Sequence, residues 1–269
     1  MKNKTTVFRI ASFCALLLTA ICFMSITSCK KKTTVEATGT FFIHLHTNID
    51  TNEVADKTAL YRDSGGRHFG LSVAQFYLSN IMIHNVNGNM YTFTGVHVLK
   101  CIDSEAYLIG NAPVGTYDYV MFDVGLDQAT NALTPASFTN NGNTPNSTMW
   151  YGNTSQGYMY MKLQGFADTT MAQNGTNLVH FSYGIGKMFA VGGGDRNLKS
   201  VSMPVRTASY APYILTVGGT QYIHMICDYG KLLSTVNFNT QDSTDTYSLN
   251  PSISNIIANN IPNMFSYEE

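Results

Sequence analysis

The stretch TFFIHLH, Thr40 to His46, alternates without a break. Phe41, Ile43 and Leu45 point to one side of an extended chain, and Phe42, His44 and His46 to the other. A half-buried β-strand follows from that period of two. The same signature recurs downstream. Phe76 to Val86 (FYLSNIMIHNV) reads as a long strand, and Asn87-Gly88 reads as a hairpin turn because both residues tolerate positive φ. Met90 to Ile102 returns as its partner. Thr116 to Val124, Gly157 to Gln164, Asn177 to Tyr183 and Ser200 to Val205 are further strands. Tyr213 to Val217 and Gln221 to Cys227 flank Gly218-Gly219, a second hairpin signal. Leu60-Tyr61 reads as a short strand turned by Ser64-Gly65-Gly66, and Leu71 to Gln75 as one helical turn. Gly125 to Asn146 is a long polar loop. Ser252 to Asn260 reads as a helix with Ser252 as its N-cap. The expected fold is all-β: an antiparallel β-sandwich over residues 40–269 with long loops and a short C-terminal helix. No repeat of fixed period is present, which argues against a propeller or solenoid.

The N-terminus reads as a targeting segment. Lys2, Lys4 and Arg9 precede an apolar run from Ala11 to Ile26, too short and wrongly flanked for a spanning helix. Ile26-Thr27-Ser28-Cys29 then resembles a bacterial lipobox. Residues 1–28 are the expected signal peptide, with Cys29 the lipidated first residue of the mature chain and 29–39 a tether. Lipid together with Lys30 to Lys32 makes a two-signal membrane anchor. The expected location is the cell envelope, on a bacterial membrane and specifically the outer one. Losing Lys2, Lys4 and Arg9 from 16 basic residues leaves 13 against 17 acidic ones, a net charge of −4. Setting aside the three anchor lysines leaves 10 against 17, or −7. Such a domain lacks the clustered cations that a nucleic-acid face needs.

Two cysteines remain after processing and lipidation, Cys101 and Cys227. In an oxidising compartment they form a disulfide, or they sit as buried thiols in the strands LKCID and HMICD. No CxxC or CxxCH occurs, so neither a redox dithiol nor covalent haem is indicated. His44 and His46 project from one face of a strand, a workable pair of metal ligands given others elsewhere. Two solvated histidines on a polar face would look the same. His180 (LVHFSYG) has apolar neighbours, and His68, His84, His97 and His224 are scattered. Met159 and Met161 offer soft thioethers that equally fill a core. Asp123 and Asp127 could enter a cation site or cap a turn. There is no GxSxG and no phosphate loop, so no catalytic activity is expected.

One further stretch stands out. STMWYGNTSQGYMYMKLQG, Ser147 to Gly165, holds the chain's only tryptophan, Trp150, among methionines and tyrosines. In order, FFIHLHTNID, VAQFYLSNIMIHNVNG, PVGTYDYVMFDVGLDQATN, MWYGNTSQGYMYMKLQG, HFSYGIG and IANNIPNMF span most of residues 40–265. That series resembles the MbnP-like family of exported copper-associated proteins. The resemblance implies a β-rich fold and copper as cofactor. It also implies oxidation of Trp150 to kynurenine by a dihaem peroxidase partner, and it aligns His46 with a family histidine after the first strand. Two family histidines are replaced here, by Met159 and Gly184, and a family glutamate by Gln164. The expected copper ligands are therefore His44, His46, Met159 and His180. The alternative is a non-catalytic interaction lipoprotein that presents loop 125–147 to a protein or glycan.

Overall fold

The computed structural model describes residues 36–54, 57–63, 66–137, 147–188, 194–207, 209–238, 244–246 and 251–268. The signal, Cys29 and residues 138–146 of the polar loop lie outside that set. The strands are β1 (Thr38–Ile49), β2 (Asn52–Glu53), β3 (Tyr61–Arg62), β4 (His68–Asn85), β5 (Met90–Thr92), β6 (Val98–Cys101), β7 (Ala106–Pro113) and β8 (Gly115–Val124). They continue as β9 (Met159–Asp168), β10 (Leu178–Gly186), β11 (Lys199–Pro204), β12 (Tyr213–Leu215), β13 (Thr220–Asp228), β14 (Thr244–Thr246) and β15 (Phe265–Tyr267). The helices are α1 (Gln128–Asn131), α2 (Tyr229–Leu233) and α3 (Pro251–Met264).

Two sheets form the sandwich. The smaller runs β15-β13-β1-β2, with β7 also on β1; the larger runs β11-β8-β4-β9-β10-β14, with β3, β5 and β6 on β4 and β12 on β8. Their inner faces meet through aromatic contacts. Phe41 meets Tyr117 edge-on at 5.3 Å between ring centroids, and Phe265 meets Phe122 at 5.1 Å and Phe76 at 5.8 Å. Phe41, Ile43 and Leu45 are fully buried, as the alternation of TFFIHLH requires.

α3 covers the core with Ile253, Ile257, Ala258, Ile261 and Met264, all buried and spaced along one helical face. It extends past the expected Asn260 to Met264, and Ser252 lies inside it rather than capping it. Burial of Ile261 and Met264 carries the helix through Pro262 in its last turn.

Four local expectations change. Leu71 to Gln75 is part of β4 rather than a helical turn, because it hydrogen-bonds along β9 from Leu71↔Gly165 to Gln75↔Lys162. Gly218-Gly219 does not close a hairpin: β12 pairs with β8 in one sheet and β13 with β1 in the other. The turn carries the chain across the sandwich and is held by Gly218 N–H on the Thr38 carbonyl and Thr40 N–H on the Gly219 carbonyl, both 2.8 Å. The pairing of β1 with β13 is parallel, so the sandwich is not wholly antiparallel. The loop after Gly125 holds α1, capped by Asp127, whose carboxylate accepts from the backbone N–H groups of Ala129 and Thr130.

Cys101 and Cys227 are free thiols. They belong to different sheets and have separate partners. Cys101 Sγ accepts from Gln75 Nε2 at 3.4 Å, and the Cys227 thiol donates to the His46 carbonyl at 3.0 Å. Burial pushes the Cys227 thiol up to about 11, which removes the thiolate that disulfide formation needs. Peptide mapping after denaturation and alkylation without reductant should find both cysteines alkylated; a Cys101–Cys227 cross-linked peptide would contradict this. In urea unfolding, Phe41→Ala should cost about 3–5 kcal/mol. Phe42→Ala, which removes an outer-face stack on Tyr222 (4.9 Å), should cost only about 1 kcal/mol.

Candidate metal centre

The alternation that buries Ile43 and Leu45 puts His44 and His46 on the outer face of the smaller sheet. Parallel pairing with β13 sets His44 directly opposite His224. Three imidazoles therefore crowd together: His44 and His46 at 4.5 Å between centroids, His44 and His224 at 4.9 Å. β15 adds to the far edge of β13, with Tyr267 opposite Met225, and Glu268 follows it. The Glu268 carboxylate lies 3.2 Å from His46 Nε2 and 3.3 Å from His224 Nδ1. His44, His46, His224 and Glu268 bring one donor atom each within 4.8 Å of one another. Phe265, partly buried and packed edge-on against Phe76 and Phe122, anchors the strand that leads to that last ligand.

The spacing is compatible with a metal cage. A charge-assisted hydrogen bond to a carboxylate spans about 2.7–2.9 Å. Elsewhere in this protein His84 Nδ1 and Asp118 Oδ1 make such a bond at 2.6 Å. A tetrahedral ion with bonds of about 2.0–2.1 Å holds adjacent donor atoms about 3.3–3.4 Å apart. The 3.2 and 3.3 Å separations around Glu268 agree with that donor spacing, and the His224 pair is also within hydrogen-bond reach. In addition, His44 Nδ1 is buried with no hydrogen-bond partner among the described residues. Burial, followed by the nearby His46 and His224 charges, holds the His44 pKa below its usual value, against the pull of Glu105 and Glu268. The neutral imidazole that results is the form that binds metals. The residues thus fit a transition ion of borderline hardness, copper or zinc.

The structure divides the expected ligand set. His44 and His46 are in this cluster, whereas Met159 and His180 are in the larger sheet. His180 is exposed on β10 and rests on Phe166 at 5.4 Å. Met159 lies beside Gly184, where an added Cβ would sit 3.1 Å from the Met159 sulfur and 3.1 Å from the Tyr151 hydroxyl. Met159 and Gly184, the two positions where the resemblance implies histidines, are therefore neighbours. The Tyr151 hydroxyl also lies beside Gly184 and donates to its carbonyl at 3.0 Å. Trp150, half-buried, packs on Tyr158 at 4.7 Å in a separate cluster with Tyr77, Leu126, Met149 and Tyr160. Asn131 of α1 fastens this segment by accepting from the Tyr158 N–H at 2.7 Å.

Sequence reasoning missed His224 and Glu268 as partners of His44. The available signal was HMICD, whose His224 alternates with buried Ile223 and Met225 just as His44 alternates with Ile43 and Leu45.

The family model for MbnP matches residues 38–252. Among solved structures, MbnP from Methylosinus trichosporium is similar, with a TM-score of 0.50 and 13% identity. The match covers 78% of this chain and 81% of that one. No curated protein matches the chain. By the extent of the family match, this chain belongs to the MbnP family.

Proposed function

We propose that this protein is an exported, lipid-anchored member of the MbnP family that binds copper at His44, His46, His224 and Glu268. The observation that carries this reading is the set of three imidazoles and one carboxylate held at metal-cage spacing on one sheet face. Family membership supports copper, and the donors suit it: imidazole nitrogen with one carboxylate accepts Cu(II), with zinc as the competing ion. Export and anchoring rest on the run before Cys29 and the lysines after it. Cys29 would hold the domain at a membrane surface, where it could retain or pass on the metal without any catalytic step. Two features favour this over a purely adhesive role for loop 125–147. The first is the unpartnered buried His44 Nδ1. The second is that the described start of that loop is taken up by α1, which braces Tyr158.

Elemental analysis after copper loading and gel filtration should show at least one equivalent of copper per chain. His224→Ala and His44→Ala should each weaken binding by at least about 100-fold, more than the 10–100-fold typical of losing an outer-shell partner. Met159→Leu and His180→Ala should leave it unchanged. Copper retention below a tenth of an equivalent in the unmodified protein would rule the reading out.

A further inference from the structure

His46 occupies the middle of the smaller sheet and has a different set of neighbours at each ring nitrogen. Its Nε2 faces the β13 side, with Glu268 at 3.2 Å. Its Nδ1 faces the other edge of β1, where β2 and β7 pair. There it lies 3.4 Å from Glu53 Oε1 and 3.7 Å from Glu105 Oε1. These distances again exceed the about 2.7–2.9 Å of a charge-assisted hydrogen bond. The Glu53 separation, also within hydrogen-bond reach, equals the about 3.3–3.4 Å expected between adjacent donors on a tetrahedral ion, and the Glu105 separation is somewhat longer. His46, Glu53 and Glu105 bring donor atoms within 4.8 Å of one another, a second group that shares only His46 with the first.

Building on the reading above, we propose that the site is dinuclear, with a second divalent ion held by His46 Nδ1, Glu53 and Glu105 and joined to the first through the His46 ring. Strand pairing delivers each donor. Glu53 sits opposite Asn48 in the β1–β2 pair. Glu105 is fixed by its carbonyl, which accepts from the Leu45 N–H at 2.9 Å. The Glu105 carboxylate also ties the two groups together, since its other oxygen is 3.5 Å from His44 Nε2. Bridging through both ring nitrogens makes His46 an imidazolate: each nitrogen lone pair forms one bond to an ion, and the ring's N–H proton leaves to solvent as the ions bind. The charges then balance. Glu53, Glu105 and Glu268 with one imidazolate carry four negative charges, the complement of two divalent ions. The second ion would border a polar surface cavity of about 450 Å³ lined by Glu53, Val54, Lys57, Ile102, Asp103 and Glu105, which leaves room for water ligands. Lys57, the cation in that lining, is engaged by Asp103 at 2.5 Å.

The test is titration of the purified full chain with copper(II) chloride, followed by elemental analysis and low-temperature electron paramagnetic resonance. The unmodified protein should hold two equivalents, with a spin count below its copper content because the bridged ions couple. Glu53→Gln, a change at an exposed position, should hold one equivalent with a full spin count. One equivalent in both proteins, or two in both, would overturn the dinuclear proposal and leave the first site standing. No copper in either would instead overturn the single-site reading on which it rests.

Discussion

The parallel register of β1 against β13 is the constraint on which the rest depends. It aligns Thr40 with Thr220 and runs unbroken to Asn48 and Asp228. A slip of one residue would turn His224 inward and Ile223 outward, since side chains alternate along a strand. Burial of Ile43 and Leu45 on one strand, and of Ile223 and Met225 on the other, forbids that slip. The hydrophobic effect on the inner face thus fixes the geometry of the histidines on the outer face. No polar interaction is needed to assemble them; the core does it.

The parallel pair is itself a consequence of how the chain crosses between sheets. β12 belongs to the larger sheet and β13 to the smaller, so the Gly218-Gly219 turn delivers β13 alongside β1 in the same direction. Phe265 then locks β15 onto the outer edge of β13, and Glu268 follows into the cluster. On the other edge of β1, β2 and β7 bring Glu53 and Glu105. Six donors from five segments converge because each segment is an ordinary neighbour in one sheet.

The region around Trp150 follows a different logic. It is an aromatic and methionine cluster on the larger sheet, braced by Asn131, with the Tyr151 hydroxyl nearby on the Gly184 carbonyl. Its donors are few: a thioether at Met159 and hydroxyls already engaged in packing. Among the described residues, the clusters of histidine and carboxylate donors lie instead on the smaller sheet.

The sequence alone determined the β-sandwich, because strict alternation in TFFIHLH, TYDYVMFDV and QYIHMIC leaves only half-buried strands as a way to hide the apolar residues. It also determined that His44 and His46 share a face, since that follows from period two within a single strand. It placed the chain near the MbnP family through the order of its motifs. Tertiary structure decided the rest. That β1 pairs with β13, and in parallel, depends on contacts between residues 180 positions apart, such as Thr40 and Thr220, and no local pattern encodes these. His224 and Glu268 looked unremarkable for that reason, and Gly218-Gly219 looked like a hairpin because turn chemistry is local while sheet membership is not. Met159 and His180, chosen as ligands on chemistry and resemblance, fall in the other sheet because the fold sorts strands by core packing, not by the metal affinity of their side chains.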